Sequence, residues 1–355
     1  MKRLLFGLAT VFAVSVAGPA LAQDKTKACF LYVGSKTDGG WTQAHDIGRQ
    51  MVDAELGEKV ETSFLENVAE GPDAERAIER LARSGCKIIF TTSFGFMDST
   101  VAVAAKFPDV KFEHATGYKT SENLAVYNSR FYEGRYIQGQ IAAKMSKVGV
   151  AGYIASFPIP EVVMGINAFT LGAQSVNPDF KLKVVWANTW FDAGKESDAA
   201  KVLIDQGVDI ITQHTDSTGP MQVAAERGIM AFGQASDMIA AGPKTQLTAI
   251  VDTWGPYYVK RINAVMDGTW KTDNIWEGLK DGIMSMAPYT NMPDDVKAMA
   301  MDTEAKIKSG ELKPFTGPIT KQDGTEWLKA GESADDGVLA SMNFYVKGVD
   351  DQLPK

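Results

Sequence analysis

Short apolar runs alternate with longer amphipathic stretches along most of the chain, and this alternation limits the possible folds more than any other feature of the sequence. Residues 28–33 read as a strand, 42–56 as a helix, 60–65 as a strand, 72–83 as a helix and 87–92 as a strand, which is the strand-helix-strand rhythm of a parallel sheet. A helix at 99–107 and strands at 111–115 and 124–129 follow, by which point an open α/β sheet is complete. After a long helix at 132–145 the rhythm restarts: strands at 148–154, 183–186, 210–213 and 230–233 alternate with helices at 162–176, 194–206 and 220–227. A second α/β domain of similar design is expected. A strand at 247–251, a helix at 256–266 and an apolar segment at 279–284 come after both domains have formed. If they complete sheets in both, the chain crosses between domains more than once, giving two hinged lobes with a cleft able to close on a ligand. The expected division is 23–130 with 252–275 for one lobe and 131–251 with 276–355 for the other. The tail holds one helix, at 294–309, and then Gly- and Pro-containing loops around residues 314–318.

The N-terminus carries Met1-Lys2-Arg3, an apolar run from Leu4 to Val16, and Pro19-Ala20-Leu21-Ala22 before Gln23. This is the basic, apolar and small-residue order of a secretory signal cut after Ala22. No later window supplies the roughly 18 consecutive apolar residues of a membrane span, and the cysteine that would receive a lipid anchor is missing after Ala22. An exported chain without a membrane anchor, in the periplasm, is expected. Cleavage removes Lys2 and Arg3 and no acidic residue, so the formal charge goes from −8 to −10. That balance argues against nucleic-acid binding, which depends on concentrated Lys and Arg. Cys29 and Cys86 both begin strands; in an oxidising compartment they either bond or stay as two buried thiols, and the sequence leaves both readings open.

In open parallel sheets ligands bind beyond the carboxyl ends of the strands, so the residues that follow each strand carry the functional information. Those positions supply aromatics with a few carboxylates: Trp41 and Thr42, Phe94, Tyr127, Phe157, Trp190, Asp216, Asp237 and Trp254. Aromatic faces clamp a flat ring and polar side chains bond its edge. An enzyme is the competing class. Its best candidates are His214 and Asp216, but no nucleophile motif accompanies them, and neither a His-Glu-x-x-His sequence nor a phosphate-binding glycine loop is present. His45 in a helix and His114 on a strand read as structural. The pattern calls for no cofactor or metal.

The segments Asp38-Gly39-Gly40-Trp41-Thr42, Phe107-Pro108-Asp109-Val110-Lys111-Phe112 and Phe131-Tyr132-Glu133-Gly134-Arg135-Tyr136 stand in an order and spacing that resemble the basic membrane protein family of substrate-binding proteins, relatives of purine nucleoside receptors. Asn177-Pro178-Asp179, Phe191-Asp192, residues 206–211 and Ser236-Asp237 are similar to further family positions. The resemblance implies a type I periplasmic-binding fold, a small-molecule ligand and an ABC transporter permease as partner, with a monomer as the simplest state. It puts Trp41 where the family stacks a ring, Thr42 where it often has Asn, and Asp237 where an acid serves sugar hydroxyls. Nucleoside binders often carry a lysine after the late strand. Here Asp252 and Trp254 stand nearby instead, so a free purine base such as adenine suits the site as well as a nucleoside does. The remaining alternatives are a periplasmic nucleoside-processing enzyme and a sensory binding protein that presents its ligand to a receptor.

Overall fold

A computed structural model of the chain describes residues 24–354. The leader read at residues 1–22 lies outside the described residues. Along the chain, β1 (Thr26–Leu31), α1 (Trp41–Leu56), β2 (Val60–Leu65), α2 (Pro72–Arg83), β3 (Ile88–Thr91), α3 (Met97–Lys106), β4 (Lys111–Ala115) and β5 (Leu124–Ser129) come first. Next are α4 (Phe131–Met145), β6 (Val150–Ala155), α5 (Pro160–Gln174), β7 (Lys181–Trp186), α6 (Ala193–Asp205), β8 (Ile210–Gln213), α7 (Gly219–Arg227), β9 (Met230–Gly233) and β10 (Gln246–Asp252). The chain ends with α8 (Gly255–Met266), β11 (Asn274–Glu277), β12 (Met284–Met286), α9 (Asp294–Ser309), β13 (Ile319–Thr320), β14 (Glu326–Leu328) and α10 (Asp336–Ala340).

Two six-stranded sheets result, ordered β11-β5-β4-β3-β1-β2 and β12-β10-β9-β8-β6-β7. The first is parallel throughout; the second is parallel except for β12, which runs antiparallel to β10. The chain passes between the sheets after Ser129, after Asp252 and after Glu277. This is the two-lobed α/β architecture expected from the alternation, with one correction. The first sheet is not complete at residue 129, because β11 joins its edge by pairing with β5 from Asn274↔Val126 to Glu277↔Ser129. Its sequence, Asn-Ile-Trp-Glu, has too few apolar residues to stand out, as an edge strand has little need of them.

Strand alternation divides the first core. Ala28, Phe30 and Tyr32 face one hydrophobic cluster while Cys29 and Leu31 face another. Helix signals are local and readable. Pro72 opens α2 with Asp73 and Glu75 in its first turn and Arg80 and Arg83 in its last, and Ala74, Ile78, Leu81 and Ala82 make its buried stripe. Tertiary contact fixes α8, which packs on α1 in the first lobe. Arg261 of α8 donates to the fully buried Glu113 of β4 at 2.5 Å, and Tyr257 (2.7 Å) and Trp270 (2.6 Å) donate to the same carboxylate. Full satisfaction is what makes such a buried pair tolerable. Burial pushes the Glu113 carboxyl above its ordinary range despite the Arg261 charge.

Cys29 in β1 and Cys86, just ahead of β3, form a disulfide across adjacent parallel strands, with Cα atoms 6.0 Å apart. The tail is more ordered than its Gly- and Pro-rich loops suggest. β13 pairs with β14, Val349 bridges to Leu182 of β7, and α10 packs on α5.

Candidate functional site

Both sheets point the carboxyl ends of their strands at a shared cavity, part of it open to solvent. Val33, Trp41, Ser93, Phe94 and Thr116 line it from the first lobe; Glu161, Trp190, His214, Asp216 and Gln234 line it from the second. Nearly all follow a strand directly or begin the next helix, as open α/β sheets require of a binding site.

Trp41 is the first residue of α1, and the turn before it is built on Asp38. Its carboxylate accepts the backbone N–H groups of Gly40 (2.9 Å), Thr42 (2.9 Å) and Gln43 (3.0 Å), satisfying donors that the helix start leaves free. The Trp41 indole donates to the Thr92 carbonyl at 2.6 Å and packs edge-on against His45, with centroids 4.4 Å apart. Trp190, in the loop after β7, is backed by Phe157 at 5.1 Å and donates across the cleft to Glu70 Oε1 at 3.2 Å. Glu70 also accepts from Ser93 Oγ (2.6 Å) and the Gly95 N–H (3.2 Å), so one carboxylate ties the loop bearing Phe94 to the opposite lobe. A second tie runs from Ser236 Oγ to the Gly39 carbonyl, and Gly40 lies so close to Asp216 that a Cβ there would be 2.6 Å from the Asp216 carbonyl oxygen. The lobes meet around the cavity.

Polar groups at the cavity wall are buried and incompletely paired. His214 Nε2 lies 3.5 Å from Glu161 Oε1, while His214 Nδ1 and Glu161 Oε2 have no partner among the described residues. Burial lowers the imidazole pKa against the opposing pull of Glu161, so the ring is neutral near pH 7 and offers one donor and one acceptor. Burial raises the Asp216 carboxyl well above the carboxylate range, with Asp38 and Glu196 adding to the effect. Gln234 is oriented from behind: Arg135, wholly buried in α4, donates to its Oε1, which leaves the amide nitrogen as a donor. Arg135 also donates to Gln138 at 3.0 Å and sits 5.4 Å from the Tyr153 ring. Ser156 Oγ and both carboxylate oxygens of Asp252 are also buried without partners among the described residues. Native interiors seldom leave such groups unpaired except at functional places.

Of the residues singled out from sequence, Trp41, Phe94, Trp190 and Asp216 line the cavity and Phe157 supports it from behind. Thr42 is buried beneath the start of α1. Tyr127 and Trp254 are core residues. Tyr127 hydrogen-bonds Tyr258 at 3.1 Å, and Trp254, 1% exposed, stacks on His45 at 4.8 Å and meets Trp41 edge-on at 5.5 Å. Asp237 is exposed and accepts from Gln246 Nε2 (2.7 Å) and the Ile239 N–H (3.1 Å). Gln234, three residues earlier, lines the cavity instead. It directly follows β9, so the strand-end rule alone points to it. Glu161, Thr116 and Ser93 were missed; Thr116 and Ser93 also lie within two residues of a strand end. His45 and His114 are buried as structural residues. His45 bonds Tyr258, while His114 meets Thr91 Oγ1 at 2.9 Å, with burial lowering its pKa to about 3. Among the described residues no cluster of His, Cys, Asp and Glu is placed to hold a metal, and no helix is long and apolar enough to cross a membrane.

The chain is 69% identical over 348 residues to a purine-binding protein of Brucella abortus, covering 98% of this chain and 99% of that one. It is 36% identical over 332 residues to a Haloferax volcanii protein named as an ABC transporter glucose-binding protein, covering 93% and 82%. An ABC transporter solute-binding protein of Aeropyrum pernix K1 superposes with a TM-score of 0.72 at 19% identity, over 81% of this chain and 92% of that one, a likeness of fold. Residues 25–315 match the family described as ABC transporter substrate-binding protein PnrA-like, and the chain belongs to that family.

Proposed function

We propose that this protein captures a purine base or purine nucleoside in the periplasm and delivers it, chemically unchanged, to the permease of an ABC importer. The observation that carries the reading is the cavity itself, where aromatic side chains of both lobes flank buried, incompletely paired polar groups. A purine presents two flat faces to Trp41, Phe94 and Trp190. Its ring N–H and amino groups suit the oxygens of Asp216 and Glu161, and its ring nitrogens suit the Gln234 amide and His214. The high identity to a relative named for purine binding supports the same class. Export supports periplasmic capture: the leader pattern ends at Ala22, and the disulfide between Cys29 and Cys86 suits an oxidising compartment. Sheet membership supports a lobe division near residues 130, 252 and 275, and a monomer leaves both lobes free for the permease.

The test is thermal unfolding of ligand-stripped protein with purine and pyrimidine bases, nucleosides and glucose. A purine at 100 times its dissociation constant should add about 2.7 kcal/mol, a shift of several degrees, and should be recovered intact by mass spectrometry. A shift with glucose alone, or hydrolysis of a nucleoside, would overturn the reading.

A further inference from the structure

Arg135 sits in α4 with none of its surface exposed. Burial lowers its pKa against the pull of Tyr153, Asp252 and Glu161, and an apolar side chain would fill such a place at lower cost. Its contacts nevertheless fix it from several elements. One guanidinium nitrogen donates to Gln138 Oε1 at 3.0 Å and to Thr212 Oγ1 of β8 at 3.3 Å, and the Tyr153 ring of β6 lies 5.4 Å away. Gly165 of α5 leaves the room this needs, because a Cβ there would stand 2.9 Å from the Tyr153 hydroxyl and 3.6 Å from Arg135 Cγ. The other terminal nitrogen donates to Gln234 Oε1.

A guanidinium has donors and no acceptor, so it dictates which end of the Gln234 amide faces it. The oxygen is taken, and Gln234 Nε2, in a residue that lines the cavity, donates to nothing among the described residues. Other polar groups at the wall are adaptable: the neutral His214 ring can carry its proton on either nitrogen, and the Asp216 carboxyl donates or accepts according to its protonation. Gln234 is locked. We infer that Arg135 is a positioning residue that sets the hydrogen-bond pattern the ligand must match: held by its oxygen, Gln234 turns a fixed donor to the cavity, and the ligand must bring an acceptor there. This rests on the purine reading above and adds that one ring nitrogen of the purine is that acceptor. A ligand with a C–H at the same place would leave a buried donor unpaired, which is how a polar site rejects a molecule of nearly the same shape.

Calorimetric titration of the full mature chain with adenine, hypoxanthine and the deaza analogues of each, in which one acceptor nitrogen of the ring is exchanged for C–H, tests the assignment. In the wild type one analogue should bind about tenfold or more weaker than its parent purine. In Arg135→Met the amide is free to turn its oxygen to the C–H, and that ratio should fall to about threefold or less. The ratio compares two ligands on one variant, so a change in fold stability alone leaves it where it was. If Arg135→Met does not fold, Gln234→Glu decides: its carboxylate accepts from Arg135, turns an acceptor to the cavity, and should weaken the parent purine until it no longer outbinds the sensitive analogue. Wild-type ratios all below about threefold, or the full wild-type ratio retained in Arg135→Met or in Gln234→Glu, would overturn the locked donor and leave the purine reading standing. Failure of the wild-type protein to bind either purine would overturn both.

Discussion

Asp216 concentrates the tension between stability and binding in one side chain. Its carboxyl is buried and faces other acids, so the folded ligand-free protein holds its proton at pH values where the unfolded chain, with a carboxyl near about 3.9, has released it. Such a group stabilises the fold below the unfolded value and withdraws that stability as pH rises toward its folded pKa. His214 runs the other way. Burial lowers its pKa, so its contribution is full above about pH 6.5 and lost as pH falls. Asp216→Asn should therefore raise the melting temperature of the ligand-free protein at neutral pH and flatten the fall in stability from mildly acidic to neutral pH. The same change should weaken purine binding by about 2- to 10-fold, the worth of a hydrogen bond between neutral groups. Melting curves across pH, paired with titrations at pH 7, check both; a variant less stable than wild type at neutral pH would refute the argument for the apo carboxyl.

Among the elements, β1 and β3 are joined covalently as well as by their ladder. The bond between Cys29 and Cys86 closes a loop with a sequence separation of 57, for which chain-entropy reasoning gives about 4 kcal/mol. Replacing both cysteines by serine should lower stability to denaturant by about 2–5 kcal/mol without altering ligand affinity, because the pair lies in the core cluster away from the cavity. Denaturant melts of both forms decide it. Elements were legible where their signals were local. The acid-rich start, basic end and Gly310 stop of α9 give the same helix, Asp294–Ser309, in sequence and structure. They were illegible where the partner is distant. β11 exists because the β5 edge accepts it, and α10 because its Asp336 reaches Arg130, 206 residues away.

For the whole molecule, the proposal that the lobes close on a ligand can be tested at Gly40. The three atoms nearest a Cβ at this position all belong to the Asp216 backbone in the other lobe, at 2.6, 2.9 and 3.1 Å. Gly40→Ala should leave each lobe folded but hold the two apart, weakening ligand binding about tenfold or more, as overpacking by 1–3 kcal/mol implies. The melting temperature without ligand should move by no more than about 2 °C while the ligand-induced shift shrinks. A full ligand shift in the variant would mean that the contact between Gly40 and Asp216 does not accompany binding.

The sequence by itself determined the two α/β lobes and the strand-end loops that carry the site, because both follow from periodicity and chain order. That Trp41, Phe94, Trp190 and Asp216 line the cavity was legible for that reason. Only the tertiary structure separated Trp254, stacked on His45 in the core, from Trp190 at the cavity, since both are tryptophans in loops that follow a strand. It also chose Gln234 over Asp237 and brought Glu161 beside His214. Those choices depend on how the sheets twist and meet, and on partners far away in sequence such as Arg135 for Gln234, which the alternation of apolar and polar residues does not encode.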